Sequence, residues 1–201
     1  MGQRGRKKGA IGEQSRALLL KIAAEEFANI GYYATKISTI VKRAKVTQPT
    51  FYLYFESKEA IFRELDDLFR NRLFDFTKSS RLEPDMDLTS VPAKIAAGLS
   101  RIFTFFLENP ELTRIGFYIS TEAEEMKRQL ASQIEDNLNF EVQEGYFRAD
   151  IDMSVVAECL VGMIERLIFT KLFTGLKNPD DLANEILHLL LYGMVEVPAS
   201  E

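Results

Sequence analysis

Between Thr47 and Tyr54 the chain crowds two threonines, a glutamine and two tyrosines into eight residues: Thr47, Gln48, Thr50, Tyr52 and Tyr54. These groups do not assemble a nucleophile. The 201 residues hold one histidine, His188, and one cysteine, Cys159, and no Ser/His/Asp set, CxxC, HExxH or glycine-rich phosphate loop accompanies them. The paired carboxylates Asp66-Asp67 and Asp180-Asp181 are adjacent on helices and so diverge. What hydroxyls and an amide do well is hydrogen-bond to phosphate oxygens and base edges, and a glutamine can pair bidentately with adenine. The expected chemistry is therefore recognition of a nucleic acid and not catalysis, with no cofactor and no metal.

Those groups need a short helix to present them, and the pattern supplies one. Ile37, Ile40, Val41 and Ala44 give one short helix a buried face. A tight turn, Lys45-Val46-Thr47, leads into a second short helix through Tyr54, with Thr47 as N-cap and Pro49 in its first turn. Val46 and Phe51 plug the angle between the two helices, which is a helix-turn-helix arrangement. Ahead of it a first helix carries Leu19, Ile22, Ala23, Phe27 and Ile30 and stops at Gly31.

Charge is divided along the chain. Residues 1–60 hold 11 Lys/Arg against 5 Asp/Glu, net +6, within a chain of net charge −5, so the remainder carries −11. A basic head on an acidic body points the head at a polyanion, although drift of surface charge gives the same asymmetry. The basic arm before the first helix, Arg4-Gly5-Arg6-Lys7-Lys8, can lay Arg4 and Arg6 along a narrow minor groove or remain a solvated tail. A single cysteine excludes an internal disulfide and suits a reducing cytosol, so a cytoplasmic protein is expected. Met1 to Ala10 has no apolar core of a signal peptide, and no apolar run approaches the ~20 residues of a membrane span.

The rest of the chain is read as helical, in an all-α fold of about nine helices. Ser57 caps a long helix bearing Ile61, Phe62, Leu65, Leu68, Phe69, Leu73 and Phe76. Residues 79–92, with Pro84 and Pro92, form a break. Helices follow over about Val91–Leu107, ended by Asn109-Pro110, then Glu111–Ile119 and Thr121–Gly145. An apolar helix opens at Asp152 or Ser154 and ends near Gly175, and the last opens at Asn178-Pro179 and runs to about Glu196.

The segment Gly31-Tyr32, Thr35, Ile37-Ser38-Thr39-Ile40-Val41 and Ala44 through Glu59 resembles the signature of the TetR/AcrR family of repressors. Its core string is T-x-x-T-F-Y-x-Y-F-x-S-K-E, and the resemblance covers roughly residues 12–62. A weaker echo is Gly145-Tyr146-Phe147-Arg148-Ala149-Asp150-Ile151-Asp152, similar to the segment before the family's eighth helix. The resemblance implies a three-helix head, residues 1–56, and an effector-binding and dimerisation body, residues 57–201. It implies that Thr47, Gln48, Pro49 and Thr50 begin the recognition helix, with Leu53 also open to the groove, and that Tyr52 and Tyr54 touch phosphate or base. Lys58 is matched to a phosphate contact, and Thr35 and Lys36 to the backbone contact of the preceding helix. Two positions depart from the family. Lys45 stands where glycine is usual, at a cost of about 1 kcal/mol if the turn keeps φ > 0, or as a phosphate contact. Lys36 stands where a Ser or Thr cap is usual, so either Thr35 caps or that end is poorly capped.

For the body, the resemblance implies a homodimer through the last two long helices. Their wide apolar arcs, Val156, Leu160 and Ile164 on one and Leu182, Ile186 and Leu190 on the other, suit a partner or an internal core equally. It also implies a pocket among the middle helices whose small-molecule effector releases a palindromic double-stranded DNA operator. The many aromatics there suit an apolar effector or simply a core. The candidate lining is Phe103, Phe106, Phe117, Met126, Leu130 and Phe169, with Arg166 or Glu165 as polar anchor or rim ion pair. The competing reading is a DNA-binding regulator without an effector, which predicts a solidly packed body. His188 is read as an interface or core histidine and Cys159 as a small core residue.

Overall fold

The structure is a computed structural model that describes residues 4–194, with side chains from Gly12 onward. Among the described residues it is all-helical: α1 (Arg4–Ile30), α2 (Ile37–Arg43), α3 (Gln48–Tyr52), α4 (Lys58–Ser79), α5 (Val91–Glu108), α6 (Pro110–Arg114), α7 (Ala123–Gln143), α8 (Met153–Leu167) and α9 (Pro179–Tyr192). A 3₁₀ turn at Leu88–Ser90 precedes α5, and π-helical turns extend α6 over Ile115–Ile119 and α8 over Ile168–Leu172.

The helix ends follow the local chemistry expected of them. Gly31 ends α1 at φ +82°, a conformation that costs glycine little. The Ser57 hydroxyl accepts the Ala60 N–H at 3.1 Å, Asp152 accepts the Ser154 N–H at 3.0 Å, and Asn178 accepts the Asp181 N–H at 2.9 Å. Three expectations need correction. The last helix stops at Tyr192, because Gly193 at φ +71° terminates it before Glu196 is reached. The basic segment expected to precede the first helix belongs to it, since α1 begins at Arg4; the side chains of Arg4 and Arg6 lie outside the described residues. Leu88–Glu108 is long and apolar enough to cross a membrane by length and composition, contrary to the sequence reading. In the fold its Ile102, Phe103 and Phe106 are core residues, and α5 packs along α9.

The chain divides into two compact units. One comprises residues up to Asn71 together with Glu111–Glu124; the other comprises Arg72–Pro110 and the chain from Glu125 on. α4 contributes its residues 58–71 to the first and 72–79 to the second. In the first unit Leu19, Phe27, Ile40, Phe51, Ile61 and Ile115 form one buried cluster. Gly116 is held so close to the Phe69 ring that a Cβ would sit 1.9 Å from its nearest atom, while Phe69 meets Phe117 edge-on at 5.3 Å. The carboxylate of Asp66 accepts from Ser120 at 3.1 Å and from Arg70 at 3.2 Å, and Arg70 also reaches Glu122 at 2.8 Å.

Candidate DNA interface and ligand cavity

α3 is anchored by Phe51, which is fully buried, so the opposite side of its short cylinder is presented outward. Gln48, Pro49, Tyr52 and Leu53 are exposed, Leu53 to 79%. Thr47 caps the helix, its hydroxyl accepting the Thr50 N–H at 3.4 Å and lying 2.9 Å from the Thr50 hydroxyl. Lys45 occupies the turn at φ +54°, and Lys36 is the N-cap residue of α2 with no side-chain cap bond. The cations Lys36, Lys42 and Lys45 are exposed and, among the described residues, meet no acidic partner. Other cations of this unit are engaged: Arg43 pairs with Glu25 at 2.5 Å and Glu26 at 2.7 Å, and Arg16 with Glu64 at 2.5 Å. The Arg43 guanidinium is pushed up by those carboxylates. An amide, hydroxyls and unpaired ammonium groups on one short exposed helix and its flanking turns can reach a groove edge and the phosphates beside it.

In the second unit a cavity of about 400 Å³ opens among α4, α5, α7, α8 and α9. Leu73, Ile102, Ile134, Leu160, Ile164 and Leu187 supply one or two apolar walls from each helix. Polar groups also line it: Thr77 on α4 and Ser80 just beyond it, Asn137 and Glu141 on α7, and Tyr146 and Arg148 beyond α7. The Leu82 N–H donates to Glu141 Oε1 at 3.0 Å. The Tyr146 hydroxyl donates to the Glu83 carbonyl at 2.7 Å and accepts the Met86 N–H at 2.7 Å. Burial pushes the Glu141 carboxyl above its ordinary value, and the Leu82 N–H and the Arg81 charge oppose that shift only in part.

The sequence model described as bacterial regulatory proteins of the tetR family matches residues 19–65. A Bacillus subtilis (strain 168) protein described as an uncharacterized HTH-type transcriptional regulator, YdgC, is 47% identical over 184 residues, 92% of this chain and 94% of its own. The chain belongs to the TetR family. The fatty acid metabolism regulator protein of the same bacterium is 25% identical over 186 residues, 88% of this chain and 93% of its own. A crystal structure of the Bacillus subtilis regulator FadR in complex with stearoyl-CoA shares the fold, with a TM-score of 0.66 at 22% identity over 89% of this chain and 99% of that one. As a TetR-family protein this chain is a DNA-binding transcriptional regulator, with α2 and α3 as its helix-turn-helix.

On that head the structure separates the expected contact residues. Lys36, Lys45, Thr47, Gln48, Pro49, Tyr52 and Leu53 share the exposed surface, with Thr50 half-buried beside them. Three others are drawn inward. Thr35 is 1% exposed and donates to the Gly31 carbonyl at 2.8 Å, so its side chain does not cap α2. The Lys58 ammonium donates to the carbonyls of Tyr32 at 3.0 Å and Thr35 at 3.1 Å and lies 4.3 Å from the Tyr32 ring centre; it ties down the α1–α2 loop. Tyr54 is half-buried against the core of its unit. The Tyr32 hydroxyl donates to Glu59 at 2.5 Å, and burial together with that bond pushes its pKa up to about 12. Sequence reasoning missed Tyr33, which is 88% exposed one turn before Lys36. It falls between helices, where no periodicity marks it.

Of the residues expected at the effector site, Leu130 lines the cavity and the others do not. Phe103, Phe106 and Met126 are packed core residues, Phe117 belongs to the other unit, Phe169 stacks edge-on with Phe173 at 5.1 Å, and Arg166 is exposed. The reason is general: the largest apolar side chains fill a core, and a cavity opens where smaller ones meet. Glu165 pairs with Lys127 at 2.8 Å, and neither residue lines the cavity. Cys159 is exposed, not core, because the buried arc of α8 is Met153, Ala157, Val161 and Ile164; His188 is likewise exposed on α9.

Proposed function

We propose that this regulator is a cytoplasmic repressor that leaves a palindromic operator when an apolar small molecule occupies the cavity of its second unit. The observation that carries the reading is the cavity itself. A regulator without an effector needs no such apolar recess of about 400 Å³ with a few polar groups converging on it, the form that small-molecule sites take. In this reading residues 1–56 read DNA and residues 57–201 sense the effector and pair two copies. Gln48, Thr50, Tyr52 and Leu53 enter the major groove, while Lys36, Lys45 and Tyr33 meet the flanking backbone. Arg4 and Arg6 add contacts from the N-terminal segment. The two copies pair through α8 and α9, where Val155, Leu189, Leu190 and Tyr192 are exposed. The stearoyl-CoA bound by the Bacillus subtilis FadR makes long-chain compounds the first class to test.

Release requires only that the effector bind better to a conformation in which the spacing of the two recognition helices no longer fits the operator. Selection of bound duplexes from a random pool tests the first half. A palindrome with half-sites about one helical turn apart is expected, and enrichment of asymmetric sites or of none defeats the dimeric repressor. Titration of long-chain compounds against the selected operator tests the second half.

A further inference from the structure

We propose that the ligand of the cavity is an apolar molecule bearing a hydrogen-bond donor, a hydroxyl or an amine, which meets the acceptor oxygens of Glu141, Asn137, Thr77 and Ser80. The inference rests on reading the cavity as the effector site and adds to it the polar chemistry of the ligand.

Thr77 is in the last turn of α4 and Ser80 just past its end, three residues on, and Asn137 and Glu141 lie one turn apart on α7. A hydroxyl has one proton to give. That of Thr77 goes to the Leu73 carbonyl at 3.0 Å, that of Ser80 to the Thr77 carbonyl at 2.8 Å, and that of Tyr146 to the Glu83 carbonyl. The Asn137 amide nitrogen donates to the same Thr77 carbonyl at 2.8 Å, which orients its oxygen as the free acceptor. Backbone carbonyls thus hold every hydroxyl proton along this wall, and one amide N–H of Asn137 is left. The uncommitted capacity is otherwise acceptors: hydroxyl lone pairs, Asn137 Oδ1 and Glu141 Oε2.

Glu141 makes the imbalance strongest. It is 5% exposed, its Oε1 accepts the Leu82 N–H, and among the described residues no donor meets Oε2. Glu141 lines the cavity, and a ligand donor that reaches Oε2 there makes a charge-assisted hydrogen bond that no protein group supplies. Nearby cations do not supply the donor. Arg81 is exposed, lies 4.2 Å from the Phe140 ring centre and donates to the Asp136 carbonyl at 3.4 Å. Arg148, whose side chain is 69% exposed, spends its Nε at 2.6 Å and a second N–H on Asp150, and none of its remaining N–H groups bonds Glu141. A ligand ending in a carboxylate would set acceptor against acceptor and charge against like charge. The upward shift of the Glu141 carboxyl agrees with a burial that the Leu82 N–H and the Arg81 charge offset only in part.

The test uses the full-length protein with 1-decanol, decylamine and decanoate, matched in chain and kept below aggregation, titrated calorimetrically at pH 7.5. Decanol and decylamine are expected to bind about tenfold or more tightly than decanoate, the factor one hydrogen bond to a charged group carries. In E141Q, whose amide oxygen still accepts the Leu82 N–H, the margin of decylamine over decanoate is expected to fall about tenfold. Decanoate binding as tightly as the other two overturns the proposal, as would be seen if Glu141 were protonated and itself the donor. If E141Q does not fold, the order measured on the unaltered protein decides alone. Donor ligands that bind in this order without weakening operator binding support the proposal and sink the effector reading. Failure of all three to bind sinks both.

Discussion

Lys45 holds φ +54°, a conformation that costs a residue with a Cβ about 1–2 kcal/mol. The turn needs that conformation to bring α3 across α2, so the lysine is retained against its own backbone preference. K45G is expected to raise stability by about 1 kcal/mol in denaturant unfolding. It should also weaken operator binding and reduce the slope of log affinity against log salt by about one. An unchanged slope would show that the ammonium meets no phosphate. Glu141 ties stability to pH. Its carboxyl is raised in the folded protein, so the folded state holds the proton more tightly than the unfolded chain does. Stability from this group is therefore complete below the ordinary glutamate value and is lost as pH rises through the folded value. Asp66, raised chiefly by burial, adds in the same direction. E141Q should flatten the fall of Tm with rising pH above about 4.5, measured by calorimetry against the parent. Identical profiles would contradict it.

Among the elements, the two short helices of the head depend on their caps to different degrees. α3 has five residues and a capping hydroxyl, whereas α2, with Lys36 at its N-cap, has none. T47A is expected to cost about 1 kcal/mol, and K36S to add a similar amount, by denaturant unfolding. A neutral K36S would mean that water already satisfies the α2 N-terminus. The π-helical turn Ile115–Ile119 is a different case. It brings the Gly116 backbone against Phe69, leaving no room for a methyl group. G116A should cost about 1–3 kcal/mol, since a buried ring in a packed core cannot give way without displacing others. Unfolding at the parental midpoint would mean that the π turn relaxes to an ordinary helix.

For the whole molecule, dimerisation and DNA binding are expected to be lost together. Val155 on α8 and Leu189 on α9 are large, exposed and apolar. V155E should convert the protein to a monomer by sedimentation and abolish binding to the full palindrome while leaving the helical circular dichroism intact. A monomer that still bound the full site at parental affinity would remove α8 from the account.

The amino-acid sequence determined a good deal. Helix periodicity, Gly31, Thr47, Ser57, Asp152 and Asn178-Pro179 located the helices, because capping and periodicity act within a few residues of chain. The string from Thr47 to Glu59 marked the DNA-reading element, and Lys45 could be expected at positive φ. Tertiary structure decided which side chains of those helices are available. Thr35 and Lys58 carry suitable groups but turn them inward to backbone carbonyls, which depends on how a loop folds back on α4. The cavity was the least legible feature. Aromatic content pointed to Phe103, Phe106 and Phe117, which close packing assigns to core, while the space falls among smaller side chains from five helices distant in sequence. Glu141 carries no local mark either: its burial and its unpartnered oxygen arise only when Leu82 and α4 are brought against α7, because a cavity and its polarity belong to no single stretch of chain.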